Sequence, residues 1–445
     1  MEELPPPLLV EILGRLVDSA ELASCRLVSK NLNALSYEVA SVHLIWTLSR
    51  YLKSRAPETK HSVTPFKAVF STLVRNSRTL ESVSIGVDKS LGSISYDDVE
   101  DESDDLYLTD VSFVREWLPE IGGGLKSLSF SDFWVQSCWR KSEVLSLISS
   151  CCHTLLELKV KNAWLSVDGL DPMPTLTSLT LEFIRLDDED LNKVNNCFPS
   201  LETLNLIGVG GLKDPKIHLL HLKNCHWTVS NAPLSLAILA PNLVNLTLKC
   251  IKPQSLVLET PSLSDFHLSL EEANEFEVKD LNHLKTLQLQ SVNLYSLICM
   301  FTWGRTVKKL TLDSSQLKMT GFSLDTLFDV FPNLSYLNLG AGAWTEALSS
   351  FGSGGLEGRI GMNGLKEIVA YLITVYDIEL TLRFIFSILD KCTNLSAMVL
   401  MIYHQVGFLT TCNLIRRCRA ACPGVRWKWG VWKEGTADVW VSDGI

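Results

Sequence analysis

The sequence predicts an α/β chain: a short helical N-terminal segment, then a long repeat solenoid with a curved parallel sheet inside and helices and loops outside. Three observations predict it. The unit L-x-x-L-x-L, with conservative swaps, recurs through most of the chain. Segments whose apolar residues follow helical spacing fall between many of the copies. The first forty or so residues carry the helical spacing but not the repeat.

Length and composition agree with this. At 445 residues the chain is too long for one ordinary compact core, which favours several domains or an elongated array. Hydrophobic residues make up 46%, enough to bury a substantial interior. The net charge is −10, and seven acids crowd into the nine residues Asp97–Asp105, a stretch expected to form a solvated loop. No basic stripe is present, so no nucleic-acid partner is expected. The N-terminal MEELPPPLLVEIL lacks the basic start and charge-free run of a secretory signal, and no apolar run reaches membrane-spanning length. The expectation is a cytoplasmic or nuclear protein without a membrane partner, its 12 cysteines reduced.

Within the first segment, Leu8, Leu9, Ile12, Leu13 and Leu16 line one helix face, preceded by Pro5 to Pro7. Asp18 or Ser19 can cap a second helix carrying Leu22, Cys25, Leu27 and Val28, and a third begins near Ser29 with Leu32, Leu35 and Val39. Three helices this short cannot bury all these side chains among themselves. Some must pack on the next domain or on a partner.

The stretch Leu4–Val42 resembles the F-box. Leu4-Pro5, Leu8-Leu9, Ile12-Leu13, Leu16, Leu22, the run Cys25-Arg26-Leu27-Val28-Ser29-Lys30 and Leu35 carry the likeness. The resemblance implies binding to a Skp-type adaptor and, through it, to a cullin scaffold. It implies that Leu4, Pro5, Leu8, Ile12, Leu13, Leu16 and Val28 enter or support that interface.

The repeat is read at Leu80-Val83-Ile85, Leu125-Leu128-Phe130, Leu155-Leu158-Val160, Leu176-Leu179-Leu181, Leu201-Leu204-Leu206 and Ile217-Leu220-Leu222. It continues at Leu243-Leu246-Leu248, Leu263-Phe266-Leu268, Leu284-Leu287-Leu289, Val307-Leu310-Leu312 and Leu334-Leu337-Leu339, with weaker copies from Leu365 and Leu395. The last two apolar positions stand two apart and so share one face of a short strand. Helices are predicted at 142–152, 188–198, 234–240, 324–331, 381–392 and 409–422. Pro199, Pro241, Pro261 and Pro332 mark crossings into strands. This section resembles leucine-rich-repeat proteins, and its irregular spacing is similar to the plant F-box type. The expected organisation is an F-box at 1–45, a helical linker and N-terminal cap at 46–79, the solenoid at 80–405 and a C-terminal helix with a Trp-rich cap at 406–445.

Residues flanking the inward leucines point to the concave surface, where such arrays bind proteins. Lys159, Lys161, Asn205, His221, Lys223, Lys249, His267, Gln288, Lys309 and Tyr336 are the candidates for holding a target. Ala397, Val399 and Met401 occupy the same positions in the copy from Leu395, so that end is expected to be covered by the tail or a ligand. In the tail, Gly435-Thr436 between strand-like pieces with Trp427, Trp429, Trp432 and Trp440 suggests a hairpin cap.

Catalytic and metal signals are weak. His218, His221, Cys225 and His226 are close in sequence, but a repeat strand would turn them to different sides. There is no phosphate loop and no nucleophile elbow. The N-L-[ST] triplets at Asn245, Asn333 and Asn394 follow from the repeat. No catalytic residue, metal or cofactor is expected. Taken with the resemblance, the chain reads as a non-catalytic substrate receptor of an SCF-type ubiquitin ligase. A scaffold independent of ubiquitination, or a small-molecule sensor on the same fold, are the alternatives.

Overall fold

The structure is a computed structural model. It describes the whole chain apart from residues 1–3, 17, 60, 95–104, 230–232, 272–274, 279–280, 302–303, 315–321, 355–361, 376 and 442–445. The expected acidic loop therefore lies outside the described residues except for Asp105. The chain divides into two compact units, Met1–Asn231 and Ala232–Ile445.

The first unit begins with helices Pro6–Gly14, Ser19–Arg26 and Lys30–Leu35. Proline opens the first, where its missing N–H is no loss. Asp18 caps the second by accepting from the Ala20 N–H at 2.9 Å, and Ser29 caps the third by accepting from the Leu32 N–H at 3.1 Å. Leu13, Leu22 and Val39 form their common core, with Leu16, Cys25, Leu32 and Leu35 packed around it. Polar contacts fasten the helices to the next stretch of chain: the His43 N–H donates to Ser19 Oγ at 2.9 Å, and Arg50 pairs with Asp18 at 2.9 Å.

Strand Ser41–Trp46 starts the sheet, one strand earlier than the first recognisable repeat, and runs across the expected boundary at residue 45. It has no leading leucine pair, but its Val42, Leu44 and Trp46 are buried in alternation. Helices Leu48–Arg55 and Phe66–Asn76 follow it. Asp105, the last acid of the crowded stretch, accepts from the Phe66 N–H at 3.1 Å at the start of the second of these. The ladder then runs in parallel through Ser82–Val87, Ser127–Ser131, Glu157–Lys161, Ser178–Glu182, Thr203–Val209 and Asn224–Val229. Its inward side chains form two columns. One holds Val83, Leu128, Leu158, Leu179, Leu204 and Cys225; the other holds Ile85, Phe130, Val160, Leu181, Leu206 and Trp227, all buried. Burial of each large member is worth about 1.5–3 kcal/mol. Helices Val144–Cys151 and Asp188–Cys197 return the chain between strands, the latter started by a reciprocal Asp187–Asp190 capping box.

The register corrects one repeat. Ile217, Leu220 and Leu222 are not one strand unit: Leu220 is 56% exposed, and the strand facing Thr203–Val209 is Asn224–Val229. Its inward pair is Cys225 and Trp227, opposite Leu204 and Leu206. Cysteine and tryptophan fill the leucine slots, so a leucine count selects the wrong phase. Burial pushes the Cys225 thiol up to about 12.

The second unit repeats the plan. Its parallel ladder is Asn245–Cys250, Asp265–Leu270, Thr286–Ser291, Lys309–Ser314, Tyr336–Leu339, Glu367–Leu372, Ala397–Tyr403 and Arg426–Trp432. The helix predicted at 234–240 is instead a strand, Ser235–Leu239, paired with Ser255–Glu259, which pairs with Glu275–Val278. Repeat length explains the difference. Leu243, Leu263 and Leu284 stand 20 and 21 residues apart, too close for a return by helix. Where Val307, Leu334, Leu365 and Leu395 spread to 27–31 apart, helices Leu324–Val330, Ala341–Gly354 and Ile378–Lys391 appear. Asn333 and Asn394 each donate to the backbone of the preceding repeat, at Arg305 O and Asn363 O, both at 2.8 Å.

After helix Phe408–Ala421, strand Arg426–Trp432 turns through Gly435 (φ 72°) into the antiparallel strand Val439–Val441. Trp432 packs on the outward side chains Val369, Val399 and Met401 together with Tyr336 and Tyr371. The Tyr371 hydroxyl donates to Asp438 at 2.8 Å. The tail thus covers the apolar end of the face, and Val399 and Met401 are 2% and 0% exposed. Gly430 permits this closeness, since a Cβ there would stand 2.7 Å from Val439 O and 2.9 Å from Met401 Cε. Among the described residues no helix is long and apolar enough to cross a membrane.

Trp227→Ala, which empties one inward slot, is expected to destabilise the chain by about 3–5 kcal/mol, with a smaller loss for Trp227→Leu. Chemical denaturation followed by circular dichroism measures both.

Candidate adaptor interface and target face

On the first helix, Leu8 and Ile12 stand four apart and share one face, and Leu4 lies just before the helix starts. They are 38%, 47% and 46% exposed, whereas Leu9 and Leu13 on the other face are buried. Leu27 and Val28, at the end of the second helix and before the Ser29 cap, are 90% and 72% exposed. Arg26 beside them is held by a bond to Ser36 Oγ at 2.8 Å and lies 4.4 Å over the Tyr37 ring. Pro5 is also exposed. Of the residues expected at an adaptor interface, Leu4, Pro5, Leu8, Ile12 and Val28 are thus open to solvent. Leu13 belongs to the core and Leu16 packs against it, so these two can only support the patch.

The outward face of the first unit carries Lys159, Lys161 and Asn205. Lys161 pairs with Glu182 at 2.5 Å, and Asn205 Nδ2 donates to Thr180 Oγ1 at 3.0 Å. The corrected register moves two candidates off the strand. His221 lies in a turn, and Lys223 precedes strand Asn224–Val229 and pairs with Glu202 at 2.8 Å. His226, not His221, stands beside Asn205, within 3.2 Å of Thr228 Oγ1. The second unit places Thr247, His267, Gln288, Thr311 and Asn338 in one outward row and Asp265, Thr286, Lys309 and Tyr336 in the next. Lys249 aligns with Ser269 and Gln290 in a third. Tyr336 leans into the cluster under the tail, and burial raises its phenol.

A cleft of about 800 Å³ opens on the outward face of the first unit, over strands Ser41–Trp46, Ser82–Val87, Ser127–Ser131 and Glu157–Lys161. Asp132, fully buried, stands at its edge. Its carboxylate accepts from the Leu108 and Thr109 N–H groups and from the Thr109 hydroxyl. The Asn162 amide donates to its carbonyl at 3.0 Å. Desolvation pushes the carboxyl up to about 7, against the pull of those donors and of Lys67.

Two likenesses to known proteins bear on these surfaces. The F-box-like family model matches residues 1–42. An F-box/LRR-repeat protein of Arabidopsis thaliana is 52% identical, an alignment that spans 99% of this chain and the whole of that protein. The chain belongs to the F-box/LRR-repeat family. The F-box-like match ends inside the first strand, so in this F-box/LRR-repeat protein the helical module is spliced directly onto the sheet.

Sequence reasoning missed Leu27 as a patch residue. It stands five residues, about 140° of helical turn, from Leu22, so the spacing alone takes it off the buried face. It also missed Trp134 and Phe183, 45% and 50% exposed at the cleft, which lie outside the repeat motif.

The Asp132 carboxyl yields a pH dependence. Its pKa is raised on folding from 3.8 to about 7, so the folded chain binds more protons than the unfolded chain between those values. Its contribution to stability is fullest below about pH 4 and is lost as pH rises toward about 7. The stability difference between the native chain and Asp132→Asn is expected to shrink across that window, measured by denaturation at a series of pH values.

Proposed function

We propose that this F-box/LRR-repeat protein is the substrate-recognition subunit of an SCF-type ubiquitin ligase. The exposed apolar patch on the N-terminal helices carries the reading. Leu4, Leu8, Ile12, Leu27 and Val28 are large, open to solvent and held on a small folded core of their own. A surface of this kind on a folded module calls for a partner, and the F-box family supplies the class: a Skp-type adaptor, docked in turn on a cullin scaffold. The outward faces of the two ladders, polar and presented by rigid strands, are suited to hold a target protein.

The chain itself performs no transfer chemistry in this reading. It holds a target near a loaded ubiquitin-carrying enzyme, raising the local concentration of target lysines around the reacting thioester. Rigidity is what the repeat contributes, because a face that flexed would lose that advantage to conformational entropy.

Ile12→Asp and Leu27→Asp place a charge on the patch without touching the Leu13–Leu22–Val39 core. Each is expected to weaken adaptor capture by about 2 kcal/mol or more while the circular dichroism spectrum stays native. Leu13→Asp should instead unfold the N-terminal helices. The measurement is co-purification with a Skp-type adaptor. Failure of the well-folded native chain to capture it would end the ligase reading.

A further inference from the structure

A second cavity of the first unit lies where the N-terminal helices meet the start of the sheet. It shares no lining residue with the outward-face cleft or with the adaptor patch. Its volume is about 380 Å³, within the range of small-molecule sites. Helix Ser19–Arg26 lines it with Ala20 and Ala23, strand Ser41–Trp46 with Leu44 and Trp46, and helix Phe66–Asn76 with Val69 and Leu73. Its walls are therefore mostly apolar. Ala20 and Ala23 stand three apart on one helix face. Their small side chains leave room that a leucine at either place would occupy. The same helix gives its larger Leu22 to the core it shares with Leu13 and Val39.

The polar groups at this cavity are one-sided. Among the described residues that line it, Arg50 and Lys53 carry charge and no carboxylate is present. Arg50 is already engaged, by Asp18 at 2.9 Å and by the Ile45 carbonyl at 2.6 Å. Lys53 is exposed and forms no ion pair among the described residues. Trp46 is 4% exposed, and its buried indole N–H has no acceptor among the described residues. A buried donor left without a partner is costly. An ammonium and an indole N–H can only donate. The occupant that suits this cavity therefore brings an apolar body and an acceptor, best an anionic one.

We propose that this cavity binds a free amphipathic monoanion of the medium-chain carboxylate class. The carboxylate meets the Lys53 ammonium at the mouth, and the chain lies against Ala20, Ala23, Leu44 and Val69. The walls come from three elements of one chain, so the site is complete without a partner. One wall belongs to the helical module and the others to the first strand and a helix that follows it. An occupied cavity thus adds apolar contact to the polar ties Ser19–His43 and Asp18–Arg50 that already join these parts. The inference does not depend on the ligase reading.

The test is isothermal titration calorimetry of the full chain with octanoate and with 1-octanol, which has the same chain length and no charge. Octanoate is expected to bind saturably at one site, about tenfold or more tighter than 1-octanol. Affinity should fall by about fourfold for each methylene removed, read with hexanoate. Lys53→Glu should abolish the preference for the carboxylate, and Lys53→Arg should restore it. Ala23→Phe, which fills the cavity from an exposed position, should abolish binding while the circular dichroism spectrum stays native. Should Ala23→Phe lose the fold, Val69→Asp takes its place and should weaken octanoate more than 1-octanol. Ile12→Asp, on the adaptor patch, should bind octanoate as the native chain does. No saturable binding, equal affinity for the two probes, affinity unchanged by the wall and Lys53 substitutions, or binding lost in Ile12→Asp would each overturn the cavity as the site.

Discussion

Each strand of the two ladders contributes its inward side chains to columns that neighbouring strands complete, and the whole chain depends on this parallel register. Leu204 is buried only because Leu179 and Cys225 stand opposite it on either side. No single repeat could hide its own apolar face, so the burial of each is conditional on the next. A slip by one residue would turn every inward side chain outward at once. That conditional burial is what allows positions outside the columns to vary freely. Histidine, glutamine, threonine and lysine follow one another along the outward rows, and only toward the tail does packing claim a member, Tyr336.

The N-terminal helices obey a different rule. Their core is small, and the leftover apolar area is not turned toward the sheet. Contacts such as Ser19 to His43 on the first strand and Asp18 to Arg50 on the helix after it fix the module through polar groups. This leaves Leu8, Ile12 and Leu27 open to solvent. The side chains that fasten the module are thus not the ones that make up its exposed apolar patch. The tail solves the opposite problem. There the outward positions Val399 and Met401 are apolar, and the chain supplies the cover itself with Trp432.

Much of this was legible in the residues. Alternating leucines marked most inward positions, and the capping residues Asp18 and Ser29 marked two helix starts. The misreadings have physical causes. Cys225 and Trp227 bury as well as leucine does, so a pattern made of leucine skipped their strand and misplaced His221 and Lys223. Strand Ser41–Trp46 was hidden because it opens the ladder and has no preceding repeat to supply the leading leucine. The segment at 234–240 looked helical because a short apolar run does not declare its period; the distance between Leu243 and Leu263 was the better guide. Phe183 could not be found at all, because nothing in the sequence announces a left-handed backbone at a phenylalanine.

The hairpin that ends the second unit carries an implication for how such a chain can change size. Strand Val439–Val441 runs against its neighbour, and the shielding of Met401 by Trp432 depends on Gly430 and Asp438 lying where they do. A further repeat appended beyond this point would find no parallel strand to join. Lengthening by duplication must therefore occur in the interior of the array, between complete repeats, with the terminator carried along unchanged.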